Sequence, residues 1–234
     1  MFYYETHCHT IPVSCCAHCG VEETLLFYRE AGYDGVFITN HFLDGNIALP
    51  ENTPYEAGLD FFFSDYRRGV EIGKKIGIKV FLGAEIAYKG TDFLIYNLPE
   101  AWYYAHPEIM EQKKSVLLPV MIGEGALVVQ AHPFREASYI DHIRLFPRSV
   151  QAVEVFNACR SHFCNEMARR YAEAYGLLPF AGSDNHDAGK NPVYGGMASE
   201  TPLANERDFA RRVLAGEMEL FRRTREEMPV AHSR

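Results

Sequence analysis

Residues 22–41 read Glu22-Glu-Thr-Leu-Leu-Phe-Tyr-Arg-Glu-Ala31-Gly-Tyr-Asp-Gly35-Val-Phe-Ile-Thr39-Asn-His41. Glu22–Ala31 carries a helical pattern and Gly35–Thr39 is a short β-branched and aromatic run, so the stretch predicts one helix feeding one buried strand. The alternation extends both ways. Upstream lies a strand pattern at Phe2–His7; downstream come a helical Leu59–Ile76, strands at Lys79–Gly83 and Phe93–Tyr96, a helical Pro107–Gly123 and a strand at Ala126–Gln130. Further strands are expected at Ala152–Phe156 and Leu178–Ala181, separated by a helix over Cys164–Tyr175, with a closing helix at Asp208–Ala215. About seven βα units in one chain point to an α/β fold with a parallel sheet, as a barrel in preference to a doubly wound sheet.

The chain has 234 residues, 47% of them hydrophobic and 13% aromatic, enough to bury the core of one domain spanning 1–234. Neither a repeat nor a low-complexity tract interrupts it. Leu43–Gly58, with Pro50 and Pro54, is too long for an ordinary connection and reads as a loop over the site, while the charged Arg222–Arg234 reads as a loosely held tail. Against 31 acidic residues stand 23 basic ones, a net charge of −8 with no basic run to track a nucleic-acid backbone, so stable duplex binding is not expected. A small anionic substrate remains compatible, because bound divalent cations reverse the local potential.

The opening MFYYETHCHT lacks the basic start and apolar run of a signal peptide, and no stretch is long enough to cross a membrane. The six cysteines (Cys8, Cys15, Cys16, Cys19, Cys159, Cys164) are irregularly spaced, which favours reduced thiols and a cytoplasmic setting. Cys16 and Cys19 form one CxxC, but a zinc ribbon needs a second such pair and Cys159/Cys164 is spaced differently. The aromatic runs Phe61-Phe62-Phe63 and Trp102-Tyr103-Tyr104 read as core packing before substrate mouth.

Chemistry concentrates at the expected strand ends. In Glu5-Thr6-His7-Cys8-His9 the two-residue alternation puts Glu5, His7 and His9 on one face, which suits a chelate. The next strand ends in Asn40-His41, and the third ends Gly83-Ala84-Glu85. Leu127-Val-Val-Gln-Ala131 runs into His132-Pro133-Phe134-Arg135, and Leu177-Leu-Pro-Phe-Ala181 into Gly182-Ser183-Asp184-Asn185-His186. Taken singly, each is an ordinary polar residue near a strand end. Successive strand ends that deliver His, His, Glu, His and Asp or His to the catalytic rim of one barrel make a metal-ligand set.

With ETHCHT, TNHF, GAE, AHPFR and GSDNH, the chain resembles the polymerase and histidinol phosphatase (PHP) superfamily of phosphoesterases from residue 1 to about 200. The resemblance implies a distorted seven-stranded (β/α) barrel, two or three divalent ions (zinc, manganese or iron), and metal ligands at His7, His9, His41, Glu85, His132, Asp184 and His186. Glu5 and Asn40 stand where the family usually has Asp, at positions that support ligands without coordinating. After the first motif the family often adds a ligand; Ile11–Cys19 offers Ser14, Cys16 or His18, of which His18 is taken as the candidate. Another often follows the fourth strand, where Leu94–Leu98 has no histidine, and His106 beside Pro107 is read as structural or exposed. His142, His162 and His232 stand outside any ligand pattern.

The expected function is hydrolysis of a small phosphorylated substrate, a phosphomonoester, by a metal-bridged hydroxide, in the manner of histidinol phosphatases. Arg135 is the first choice for a phosphate contact and Arg160 the second, since a guanidinium fork binds two oxygens. The enzyme alternative is an amidohydrolase-like metal hydrolase, and the non-enzyme alternative is a degenerate metal-binding module of the PHP type. The sequence sets no oligomeric state.

Overall fold

β1 (Phe2–Glu5), β2 (Gly35–Ile38) and β3 (Lys79–Tyr88) lie side by side and parallel in the computed structural model, which describes residues 1–228. Between them, α1 (Val21–Glu30) and α2 (Tyr55–Ile76) return the chain along the outside. All four residues of β2 are buried, since Phe37 points into the barrel while Val36 and Ile38 lie under α1. That two-sided burial is why the run is continuously apolar instead of alternating.

The chain departs from the expected βα repetition after β3. A tight turn, with Lys89 and Gly90 both at positive φ, reverses it into β4 (Thr91–Tyr96), which is antiparallel to β3 and to β5 (Leu127–Ala131). This inverted strand starts at the rim where its neighbours end. The helical Pro107–Gly123 is two pieces, a 3-10 turn at Pro107–Met110 and α4 (Lys114–Gly123), and it is preceded by a separate helix, α3 (Glu100–Ala105). Parallel order resumes with β6 (Ala152–Asn157), α5 (His162–Tyr175) and β7 (Leu178–Gly182).

Two strands were not expected. β8 (Val193–Ser199) runs antiparallel beside β1, and β9 (Glu219–Thr224) follows α6 (Glu206–Leu214) to pair with β8, giving nine strands among the described residues in the order β7-β6-β5-β4-β3-β2-β1-β8-β9. The seven-strand count therefore holds for the barrel wall β1–β7, and the tail reading is corrected: residues 222–224 belong to β9 and Arg225–Glu227 form a 3-10 turn, while 229–234 lie outside the described residues. β8 hides because Gly195 and Gly196 break its strand pattern. A Cβ at Gly196, where φ is +154°, would sit 2.0 Å from the Tyr4 carbonyl oxygen, so close contact with β1 excludes a side chain.

The wall closes between β1 and β7 by a single bridge, Cys8 to Asn185, with His9 N–H donating to the Asn185 carbonyl at 2.9 Å and Asn185 N–H to that of His7 at 3.1 Å. The other end of the barrel is plugged. Tyr4, Phe37, Phe81, Tyr96 and Phe180 fill the interior, and Phe209 of α6 packs 4.3 Å from the Phe37 ring centroid. Removing a ring such as Phe209 costs about 3–5 kcal/mol, and this aromatic plug is the floor on which the site rests. Phe62, Phe63, Trp102 and Tyr103 lie in a second cluster between α2, α3 and the sheet, as core and not as a substrate mouth.

Candidate metal centre

The strand ends bring all seven expected donors together. His7 and His9 continue from β1, His41 follows β2, Glu85 lies within β3, His132 follows β5, and Asp184 and His186 follow β7. Completely buried, Glu85 faces four imidazoles: Oε1 lies 3.3 Å from Nε2 of both His7 and His132, and Oε2 lies 3.4 Å from His9 Nε2 and 2.8 Å from His41 Nδ1. Asp184 Oδ1 is 3.4 Å from Nε2 of both His7 and His9.

Whether these residues fit a cation can be tested on their unpaired atoms. Nε2 of His7 and of His9 is buried with no hydrogen-bond partner, and His41 Nδ1 and Glu85 Oε2 face each other at 2.8 Å outside hydrogen-bond geometry, a costly arrangement unless something else satisfies these atoms. Nitrogen and oxygen donors on a tetrahedral ion at about 2.0–2.1 Å stand roughly 3.3 Å apart, close to the separations found here. Among the described residues three donor groups converge tightly enough to share ions: His7, Glu85 and His132; His7, His9 and Asp184; and His9, Cys16, His41 and His186. The residues fit the ions that the resemblance implies.

Buried groups support the donors. Glu154, on β6, accepts from His7 Nδ1 at 2.9 Å, from His132 N–H at 3.0 Å and from Asn157 Nδ2 at 2.8 Å. With its Nδ1 proton engaged, His7 turns the Nε2 lone pair toward the cluster. Glu5 Oε1 accepts the N–H groups of His7 and Ser183, both at 2.9 Å, tying β1 to the end of β7. Asn40 Oδ1 accepts from Thr10 N–H at 2.7 Å and Ser14 Oγ at 2.9 Å, and the Ser14 oxygen accepts His41 N–H at 3.1 Å. Both residues stand behind the donors, as expected.

Room for this arrangement comes from a glycine and from strain. A Cβ on Gly182 would lie 2.6 Å from His7 Cβ and 2.8 Å from Glu154 Oε1. His132 at φ +25° and Asp184 at φ +54° hold left-handed backbone that costs non-glycine residues of order 1–3 kcal/mol each, and such strain gathers where side chains must be aimed.

The charges oppose each other strongly. Burial alone would lower His7, but Glu154, Asp184 and Glu85 raise it well above the usual imidazole range; His41 is likewise lowered by burial yet raised to about 11 overall by Glu85 and Cys16. Burial, then the neighbouring His186 and His41, lower His9 to about 3. Glu85 and Asp184 are raised by burial, but the histidines around them outweigh it and hold both well below the carboxylate range. The carboxylates are thus balanced by imidazolium protons, with which a divalent cation competes.

A cavity of about 710 Å³ opens onto the cluster, and its lining includes Arg135, Arg160, Lys89, Asp44, Asn46 and Tyr139. Asp44 and Asn46 bring the start of the 43–58 segment to the mouth, while its last residues, 55–58, are not loop but the first turn of α2. Arg135 Nη2 pairs with Asp92 Oδ2 at 2.9 Å and Arg160 Nη2 with Asp184 Oδ2 at 2.7 Å, while the buried Nε of each arginine has no partner.

Three residues were missed. Glu154 shows in the sequence only as a lone acid inside an apolar strand; Asp92 begins the inverted strand, where a parallel reading has no rim position; and Cys16, not His18, is the residue of its segment that reaches the donors. His18 is corrected: it is exposed, belongs to none of the donor groups, and only its backbone N–H reaches the centre, donating to the His186 carbonyl at 2.7 Å. As expected, His106 is no donor to the cluster; it stacks on Trp102 at 4.3 Å and pairs with Glu108 at 2.8 Å.

No protein-family model and no curated protein matches the sequence. Solved structures do. A candidate metal-dependent phosphoesterase from Bifidobacterium adolescentis superposes with TM-score 0.55 at 15% identity, over 91% of this chain and 95% of that one. A two-domain protein from Bacteroides vulgatus containing a predicted PHP-like metal-dependent phosphoesterase gives TM-score 0.59 at 14% identity, over 94% of this chain and 64% of that one. An amidohydrolase from Chromobacterium violaceum, solved with bound sulfate and no metal, gives TM-score 0.55 at 13% identity, over 93% and 97%. Likeness at such identity establishes a shared fold: this chain has the TIM-like barrel of PHP-type phosphoesterase structures.

Proposed function

We propose that this chain is a metal-dependent hydrolase of small phosphomonoesters. The observation that carries the reading is that unpaired, buried imidazole and carboxylate atoms converge beneath a cavity into which two arginines project. His7, His9, His41, Glu85, His132, Asp184 and His186 would hold two or three divalent ions, zinc, manganese or iron by the softness of the donors. When bound, such cations supply Lewis acidity toward water and toward the oxygens of a phosphoryl group.

The chain's own residues supply the rest. Arg135 and Arg160 present guanidinium groups to the cavity and bind phosphoryl oxygens, and their carboxylate partners Asp92 and Asp184 hold both forks in place before substrate arrives. Interactions that strengthen as the phosphoryl oxygens gain charge lower the barrier and not merely KM. Glu154 keeps the His7 and His132 donors aimed, and the aromatic floor excludes water from beneath them. Histidinol phosphate is one substrate that such a cavity would accept, among other polar phosphomonoesters.

The fold shared with an amidohydrolase favours a second reading, attack on a carbonyl. The two arginines weigh against it, since a neutral amide offers no dianion for them to hold. Elemental analysis of protein purified without chelators, followed by phosphate release across a panel of phosphomonoesters and ammonia or amine release from amides, tests the proposal. Two or more metal equivalents with phosphate release are expected. Metal binding without any turnover would favour the non-catalytic module, amide turnover the second reading, and less than one equivalent would overturn the centre itself.

A further inference from the structure

The group formed by His9, Cys16, His41 and His186 differs in kind from the other two. It holds three imidazoles and a thiol, with no carboxylate, whereas the groups around His7 contain Glu85 or Asp184. On the assumption that the centre binds metal at all, we propose that Cys16 is a metal ligand, its thiolate completing with His41 and His186 an outer sub-site that selects a soft or borderline ion such as zinc over manganese.

Three observations place the thiol there. Its sulfur and the ring nitrogens of the three histidines lie within 4.8 Å of one another. The ring of His9 lies 4.5 Å from both His41 and His186, tilted to the first and stacked on the second, with its Nε2 buried and without a hydrogen-bond partner. The segment that bears the cysteine is pinned on both sides, Cys15 N–H to the Asn46 carbonyl at 2.9 Å and His18 N–H to the His186 carbonyl at 2.7 Å. One clamp reaches the loop after His41 and the other reaches His186 itself, so the segment is held from both of the strand ends that carry the histidines expected to share an ion with Cys16. His186 Nδ1 lies 2.6 Å from the Asp184 carbonyl, which accepts its N–H and leaves Nε2 free to coordinate. A thiol gives up its proton on coordination, and thiolate ligands select zinc or iron over harder ions.

Cobalt substitution reads the sulfur directly. The full chain, stripped with chelator and reloaded with Co(II), should show visible d–d absorption together with a near-ultraviolet sulfur-to-cobalt charge-transfer band. Cys16→Ser should abolish that band while d–d absorption from the inner groups persists, and Cys159→Ser, a control at a neighbouring thiol, should keep it. Cys16→His should restore cobalt occupancy without the band. On the unmodified chain, zinc should block alkylation of Cys16, mapped by peptide mass spectrometry. Visible absorption with no charge-transfer band, a band that disappears with Cys159 instead, or undiminished alkylation at saturating zinc overturns the role of Cys16 and leaves the metal centre standing. No cobalt absorption at all overturns the centre and the inference together.

Discussion

Replacing Glu154 by glutamine tests how the donors are aimed. Both carboxylate oxygens face donors: Oε1 meets His7 Nδ1 at 2.9 Å, and Oε2 meets His132 N–H at 3.0 Å and Asn157 Nδ2 at 2.8 Å. Glutamine has only one acceptor oxygen. If its NH2 faces His132 and Asn157, two buried donors are left unpaired at about 1–3 kcal/mol each, so the oxygen goes to them and the NH2 turns to His7. His7 Nδ1 must then accept, which moves the ring proton onto Nε2, the atom 3.3 Å from Glu85 and 3.4 Å from Asp184. A nitrogen that carries a proton cannot bind a cation. Metal affinity is therefore expected to fall about 10–100-fold, the usual effect of losing such a partner. Turning three charge-assisted bonds into neutral ones, at roughly 1 kcal/mol each, should lower the Tm of metal-free protein by roughly 6–12 °C, at about 2–4 °C per kcal/mol for a chain of this size. Equilibrium dialysis against a competing chelator, with elemental analysis of the retained metal, measures the first quantity and thermal unfolding the second. Wild-type affinity in Glu154→Gln would refute the reasoning, because the tautomer of His7 would then not be set by its neighbour.

His132→Ala should lose bound metal and His106→Ala should not; equal losses would mean that the imidazole on Trp102 serves the centre after all. Arg135→Ala should leave metal content intact and lower kcat/KM for phosphate esters on the order of 10²-fold, with Lys recovering only part of it, while unchanged kinetics would shift the phosphate contact to Arg160. Glu5 is raised from 4.5 to about 6 because burial outweighs the donors it accepts from. Its contribution to stability is full below the lower value and is lost as pH rises through the upper one, by roughly 2 kcal/mol. Glu5→Gln keeps an oxygen for the backbone donors and turns its NH2 to the Tyr28 hydroxyl, so unfolding followed between those pH values should lose that decline; an undiminished slope would count against the assignment.

The rim was legible because its donors follow apolar runs whose period and length survive in sequence, as at Gly35–Ile38 before His41 and Leu127–Ala131 before His132. What stayed hidden depends on contacts between distant segments. Nothing local to Thr91–Tyr96 says that it runs backwards; the direction is set by the two-residue turn at Lys89 and Gly90 and by pairing with β5. With the direction reversed, Asp92 moves from the far end of a strand to the cavity. β8 carries glycines because Tyr4 and Phe156 crowd it, and β9 is an arginine-bearing edge, so neither shows the pattern of a buried strand. Cys16 sits on no regular element, and only the folded loop puts its sulfur beside His41 and His186.

The meeting of β1 and β7 at Cys8 and Asn185 joins the first barrel strand to the last, so the whole intervening wall must be ordered before that contact forms. Closing so long a loop carries its entropy cost up front, which makes this junction the last part of the barrel to zip up and the first to part. The candidate ligands on either side of it, His7 and His9 after β1 and Asp184 and His186 after β7, would turn a bound cation into a clasp across the seam. Amide hydrogen exchange at His9 and Asn185 should accordingly slow on metal loading far more than exchange within β5 or β6, and equal slowing everywhere would place the weak point elsewhere. Loss of metal would then do more than switch off chemistry: it would unlatch the barrel and expose the ends of β1 and β7 to proteases or to another chain, so that metal supply would govern how long each molecule survives.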